Sequence, residues 1–229
     1  MLIINCSLMY TSLFYKEWIK THKLVLLLLV VFSALMAYIL LGAAKQYQAG
    51  PVPLWEGIIQ NSMTLVGYFK YLPLAAGVVM AIVQFVPEMQ NKRLKLTLHL
   101  PMNESGILCS MLGFGMLVLV LLFSLSCIIL LSGLSIRFCA EMVTANFRIS
   151  LPWFLGGLAS YLLAAWICLE PTWKQRIFNA IPAICCVSFF YTGALPGAYM
   201  PFIPYLAGFI AISFFFSFYS GIRFKNGVQ

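Results

Sequence analysis

Chemistry inside a lipid bilayer needs reactive side chains at membrane depth, and this chain is short of them. Its only histidines, His22 and His99, fall at the edges of apolar runs. A serine hydrolase needs a histidine beside its nucleophile, so both read as interfacial polar residues. A helical zinc site needs His-x-x-x-His or an equivalent cluster, and none occurs. There is no Asp in the chain, which removes a paired-Asp protease. Ion-driven carriers place an ionisable residue within a span. Here the nearest is Lys70, at an outer edge. Gln84, Asn179 and Tyr191 are the polar residues that could line a substrate path. Such residues are more often interhelical hydrogen-bonding groups than ligands. Cys185 and Cys186 are adjacent, so they point to different faces of a helix and read as small hydrophobes rather than a soft-metal pair. No Gly-x-x-x-x-Gly-Lys-Ser/Thr is present. Uphill movement of any cargo would therefore draw its energy from a separate ATPase.

The elements that must hold these residues follow from composition. The 229 residues are 62% hydrophobic and 9% charged, against roughly 25% charged in a soluble domain. Mean hydropathy is +0.96. The bilayer is the solvent for most of this chain. Uncharged runs predict an all-α membrane domain over 1–229 with six spans, near 24–44, 70–87, 107–135, 149–169, 177–195 and 202–222. The third run, Ile107–Ser135, is longer than a span needs, so it must tilt, kink near Gly113 or Gly115, or project. No cleavable leader is apparent, and no internal repeat or soluble domain is visible. Ser7 to Lys23 reads as an amphipathic helix in the interface, with Phe14 and Trp18 on one side and Lys16, Lys20 and Lys23 elsewhere around it.

The net charge of +8 does not point to nucleic acid, because the bases cluster between apolar runs as juxtamembrane anchors do. With six spans, one side carries 10 of the 14 Lys and Arg residues and the other carries 4. The basic side is predicted to be cytoplasmic, with both termini on it. Trp18, Trp55, Trp153 and Trp173 fall near the predicted interfaces. Most of the seven cysteines lie inside apolar runs, which argues against a disulfide framework.

The most informative loop runs from Pro87 to Met102. Glu88, Gln90, Lys92, Arg93 and Lys95 accompany leucines 94, 96, 98 and 100. The leucines alternate with a strand-like period of two, yet a helix pairs Leu94 with Leu98 and Leu96 with Leu100. Pro101 ends either element. A basic loop on anionic lipid is one reading; an apolar element seeking a partner surface is the other.

In layout the whole chain resembles the ABC type-2 permeases, six-span subunits of bacterial ABC exporters with the type V fold. Lys16-Glu17-Trp18 resembles the start of that family's elbow helix. The stretch from Glu88 to Pro101-Met102 resembles its loop after span two. Thr192 to Pro204 resembles its short outer connection before span six. The resemblance implies a dimer, of two copies or one plus a related permease, above two ABC ATPase subunits in the bacterial inner membrane. Glu88, Gln90, Lys92, Arg93, Leu94, Lys95 and Leu98 would then form a coupling helix on the ATPase. ATP and Mg would belong to that partner, with no cofactor or catalytic residue in this chain. Two other readings remain open: a membrane scaffold that moves nothing, and an uncharacterised membrane enzyme or ion-coupled carrier.

Overall fold

A computed structural model of the chain describes residues 2–48, 57, 64–90, 104–193 and 197–225. Among them are six extended α-helices: α1 (Leu2–Gln48), α2 (Leu72–Met89), α3 (Glu104–Ser135), α4 (Ala140–Leu169), α5 (Trp173–Ser188) and α6 (Ile203–Lys225). Short 3₁₀ turns lead into α2, extend α5 to Tyr191 and precede α6. The described residues include no strand. Five stretches are long and apolar enough to cross a bilayer: Tyr10–Tyr47, Gly67–Met89, Ser105–Ser135, Ala140–Leu169 and Met200–Arg223. The chain is a multi-pass membrane protein. The fifth expected span, 177–195, is not among those stretches. Its helix α5 has 16 residues and opens on Trp173-Lys174-Gln175-Arg176.

Contacts fix the direction of each helix. Lys20 of α1 meets Glu88 of α2, and Phe32 meets Phe69 at the far end, so α1 and α2 are antiparallel. Tyr47 meets Phe138 while Phe14 meets Phe114, so α3 runs with α1. Asn146 bonds to Leu65 and Tyr161 to Gln84, so α4 runs with α2. Tyr191 reaches Trp153, and Arg176 reaches Cys168 at the other end of the pair, so α5 opposes α4. Ser217 bonds to Leu162 and Arg223 pairs with Glu170 beyond it, so α6 runs with α4. The six helices thus alternate. One end of the bundle gathers Lys16, Lys20, Lys23, Lys174, Arg176 and Arg223; the other carries Lys45, Lys70, Arg137 and Arg148.

Two expectations change. No break separates residues 7–23 from 24–44: α1 is one helix, about 70 Å long at 1.5 Å per residue. The chain has neither Gly nor Pro from Leu2 to Leu41. A single buried stripe of Leu13, Glu17, Thr21, Leu28, Phe32, Met36 and Ile39 crosses the expected boundary without changing face. Such a helix exceeds a hydrocarbon core of roughly 30 Å, so it projects beyond it. Second, α4 begins at Ala140, absorbing most of the expected loop from Arg137 to Arg148. Met142, Ala145, Asn146 and Ile149 point inward at helical spacing while Glu141 and Arg148 stay exposed. Over the long third run, α3 stays helical through Gly113 and Gly115.

The core is centred on α4, the most buried of the span-length helices. It crosses α2 at Gly77 and Gly157, so closely that a Cβ on Gly77 would collide with the Gly157 carbonyl and the Ser160 hydroxyl. Small residues let membrane helices approach in this way. Toward the less basic end, Phe32, Phe69, Phe123 and Phe154 form a ring-to-ring cluster with centroids 5.2–5.9 Å apart. It joins α1, α3 and α4 to the turn before α2.

Candidate functional site

Polar groups concentrate at the basic end. On α1, Lys16, Glu17 and Lys20 follow helical spacing and converge on the last turn of α2. Lys20 Nζ lies 3.0 Å from Glu17 Oε1 and 2.9 Å from Glu88 Oε1, and it donates to the Gln84 carbonyl at 3.1 Å. Lys16 Nζ adds a contact to Glu88 Oε1 at 3.1 Å. Glu17 and Glu88 are 2% and 3% exposed. Two lysines thus balance two carboxylates that have left solvent, as buried charge requires. Their second oxygens, Glu17 Oε2 and Glu88 Oε2, have no hydrogen-bond partner among the described residues.

The network continues inward through Gln84. Its Nε2 donates to the Met111 carbonyl of α3 at 2.7 Å, and its Oε1 accepts from the Tyr161 hydroxyl of α4 at 2.8 Å. Gly115 makes room for this junction, since a Cβ there would strike Tyr161 and Gln84. Lys20, Gln84 and Tyr161 therefore tie four helices together just before the segment that begins at residue 91.

A second polar cluster joins α4, α5 and α6 at the same end. Glu170, 1% exposed, follows the end of α4. Arg223 Nη1 approaches its Oε1 at 3.2 Å, and the Ser220 hydroxyl donates to its Oε2. Arg223 Nη2 also donates to Gln175 Oε1 at 3.3 Å. Arg176 Nε donates to the Glu170 carbonyl at 2.8 Å, and its Nη2 to that of Cys168 at 3.4 Å. Both are carbonyls at the C-terminal end of α4, which the helix leaves unsatisfied. Trp173 stacks beneath the Arg176 guanidinium at 5.2 Å.

Two cavities lie side by side between α2, α4 and α5. The larger by a little, about 570 Å³, sits at the basic end against Val86, Met89, Gln90, Trp173, Arg176 and Ile177. The other, about 540 Å³, runs toward the far end along Leu74, Val78, Ala183 and Val187. They share Ile167 and Ala180. Tyr71 and Tyr191 stack at the far end, with centroids 5.6 Å apart.

Of the residues singled out in the sequence, Lys16, Glu17 and Glu88 come together. Trp18 stays half exposed on the surface of α1. Gln90 caps α2 and borders the basic-end cavity. Lys92, Arg93, Leu94, Lys95 and Leu98 lie outside the described residues. Gln84 is sealed in the core and lines neither cavity. Asn179 is buried on α5 and lines neither, whereas Tyr191 closes the far cavity. Trp153 is a core residue rather than an interfacial one; Trp173 is exposed, and Trp55 lies outside the described residues.

Sequence reasoning passed over Lys20, Tyr161, Glu170, Arg176 and Arg223. Only Lys20 carried a local signal, through its i,i+3 spacing from Glu17 and i,i+4 spacing from Lys16. No family model, curated protein or solved structure matches the chain.

Proposed function

We propose that this chain is the membrane-spanning permease subunit of an ATP-driven exporter, paired with a second permease and driven by separate ATPase subunits. One observation supports the reading above the rest. The last turn of α2, where the basic, leucine-bearing segment departs, is gripped by Lys16 and Lys20 of α1 and joined through Gln84 and Tyr161 to α3 and α4. A push on that segment from outside the membrane reaches four helices through buried bonds. Coupling of this kind needs a two-state element that a ligand can bias, and a rigid link from docking segment to spans is a way to bias it.

In this reading α5 with its 3₁₀ extension is a sixth crossing. Its 19 residues from Trp173 to Tyr191 rise about 28 Å, close to one hydrocarbon thickness. The basic end then faces the cytoplasm of a bacterial inner membrane. The first turns of α1 serve as the elbow without a hinge of their own. ATP and Mg bind the partner, and residues 92–98 dock on it.

The test uses the tagged full-length chain purified from its native membranes. ATP hydrolysis is expected to co-purify with it. Arg93→Glu, or Leu94→Asp with Leu98→Asp, should remove that activity while the spans still insert. Unchanged ATP hydrolysis in both variants would reject residues 92–98 as the docking element. Absence of any associated ATPase would favour the non-transporting scaffold. One observation favours that second reading: Gln84, fully buried in the bundle, lines neither of the two cavities described.

A further inference from the structure

We propose that the groove between α2 and α5, floored by α4, is a binding site for a membrane phospholipid with an anionic headgroup held at Arg176. This would hold whether or not the chain moves cargo, so its failure would leave the exporter reading standing.

The shape suits a chain rather than a helix. The two cavities meet at Ile167 and Ala180 and together run from Arg176 to Thr192 along α5. That is about 24 Å at helical rise, more than the roughly 15 Å depth of one leaflet's hydrocarbon. An acyl chain entering at Arg176 passes Ala180 and continues between Leu74, Val78 and Ala183. The walls there are almost wholly apolar, with the Ser160, Ser188 and Thr192 hydroxyls confined to the far cavity.

Charge decides the headgroup. Among the described residues, Arg176 is the one cation that lines either cavity. Its Nε and Nη2 cap carbonyls of α4, and its Nη1 has no partner among the described residues. The nearby carboxylate, Glu170, is already paired with Arg223. Gln90 adds an amide at the same mouth, and Trp173 stands exposed at the level where indoles anchor to headgroups. A basic pocket between membrane helices, at the end rich in Lys and Arg, is where anionic headgroups bind. A phosphate accepts from guanidinium N–H groups in the same way a carboxylate does.

The experiment is native mass spectrometry of the full chain in detergent, titrated with phosphatidylglycerol or phosphatidylcholine of identical acyl chains. Wild type should retain one lipid per chain and prefer phosphatidylglycerol by about tenfold. Ala180→Phe, which fills the waist of the groove, should weaken both lipids by at least about tenfold. Arg176→Gln should bind both equally. Lys174→Gln, exposed and outside the cavity lining, should match wild type. If Ala180→Phe misfolds, Ala183→Leu narrows the same groove from one turn away. Lipid binding unaffected by the groove-filling change, or headgroup preference surviving Arg176→Gln, overturns the proposal. So does a lipid-free dimer cross-linked through Ala180→Cys, which would make a second copy the occupant.

Discussion

Helices α2 and α5 border the same groove on α4 but hold to it in opposite ways. Helix α2 brings Gly77 against the Gly157 carbonyl and hands Gln84 to Tyr161, so its contact is backbone-close and hydrogen-bonded. Helix α5 buries only Asn179 and Ala183, and leaves Ile177, Phe178, Ile181 and Ile184 exposed. Its attachments are at its ends, through Arg176 and Tyr191. In water, apolar area alone would pull both helices onto α4. In lipid that drive is absent, and close packing and hydrogen bonds decide which helices lock. The molecule therefore has a locked side, α1 to α4, and a side where α5 can stand away and leave space.

The largest effect should come from the locked crossing. Gly77→Val places side-chain atoms where the Gly157 carbonyl lies, and the backbone must move to admit them. Overpacking of this kind costs typically about 1–3 kcal/mol, and more when backbone is the obstacle. The variant should lose most folded protein in a detergent melt. Ala183→Val, on α5 and bordering the far cavity rather than a facing backbone, should lose far less. Equal losses would erase the distinction between the two sides.

A loss of comparable size is expected at the basic end. Lys20→Met leaves Glu17 and Glu88 buried with Lys16 alone to balance them, and Lys16 is 41% exposed at its side chain. Breaking one partner of a buried pair costs about 3–5 kcal/mol; the half-open Lys16 remaining beside Glu88 places this at the lower end. Restoring neutrality with Glu88→Gln in the same chain should recover part of the loss. No recovery would mean that Lys20 acts by packing its stem rather than by charge.

Much of this was legible in the sequence, for reasons that also explain the gaps. Uncharged runs announced α3 and α6 because lipid tolerates little else. The basic clusters announced which helix ends lie together. Charge was a poor guide to where helices begin, since Glu141 and Arg148 mark the exposed face of α4 rather than a loop. It was also a poor guide to burial. Glu17, Glu88 and Glu170 fall near the ends of apolar runs, where charge ordinarily meets water, yet each is almost fully enclosed. Their partners lie 68 residues away for Lys20 and Glu88, and across α5 for Glu170 and Arg223. No local pattern links them. Trp153 misled in the same way, since its indole is 3% exposed and its carbonyl accepts from the Tyr191 hydroxyl of the turn after α5.

The central claim is that α5, short and polar at its start, still crosses the membrane, so that the end bearing Lys20, Glu88, Glu170 and Arg223 faces one compartment. Single cysteines at Glu141 and Gln229, in a cysteine-free chain, measure this directly when intact cells are treated with a membrane-impermeant maleimide. The account predicts labelling of Glu141→Cys from outside and of Gln229→Cys only after permeabilisation. Labelling of both from outside would contradict it, because α5 would then fail to cross and the shared basic end would not exist.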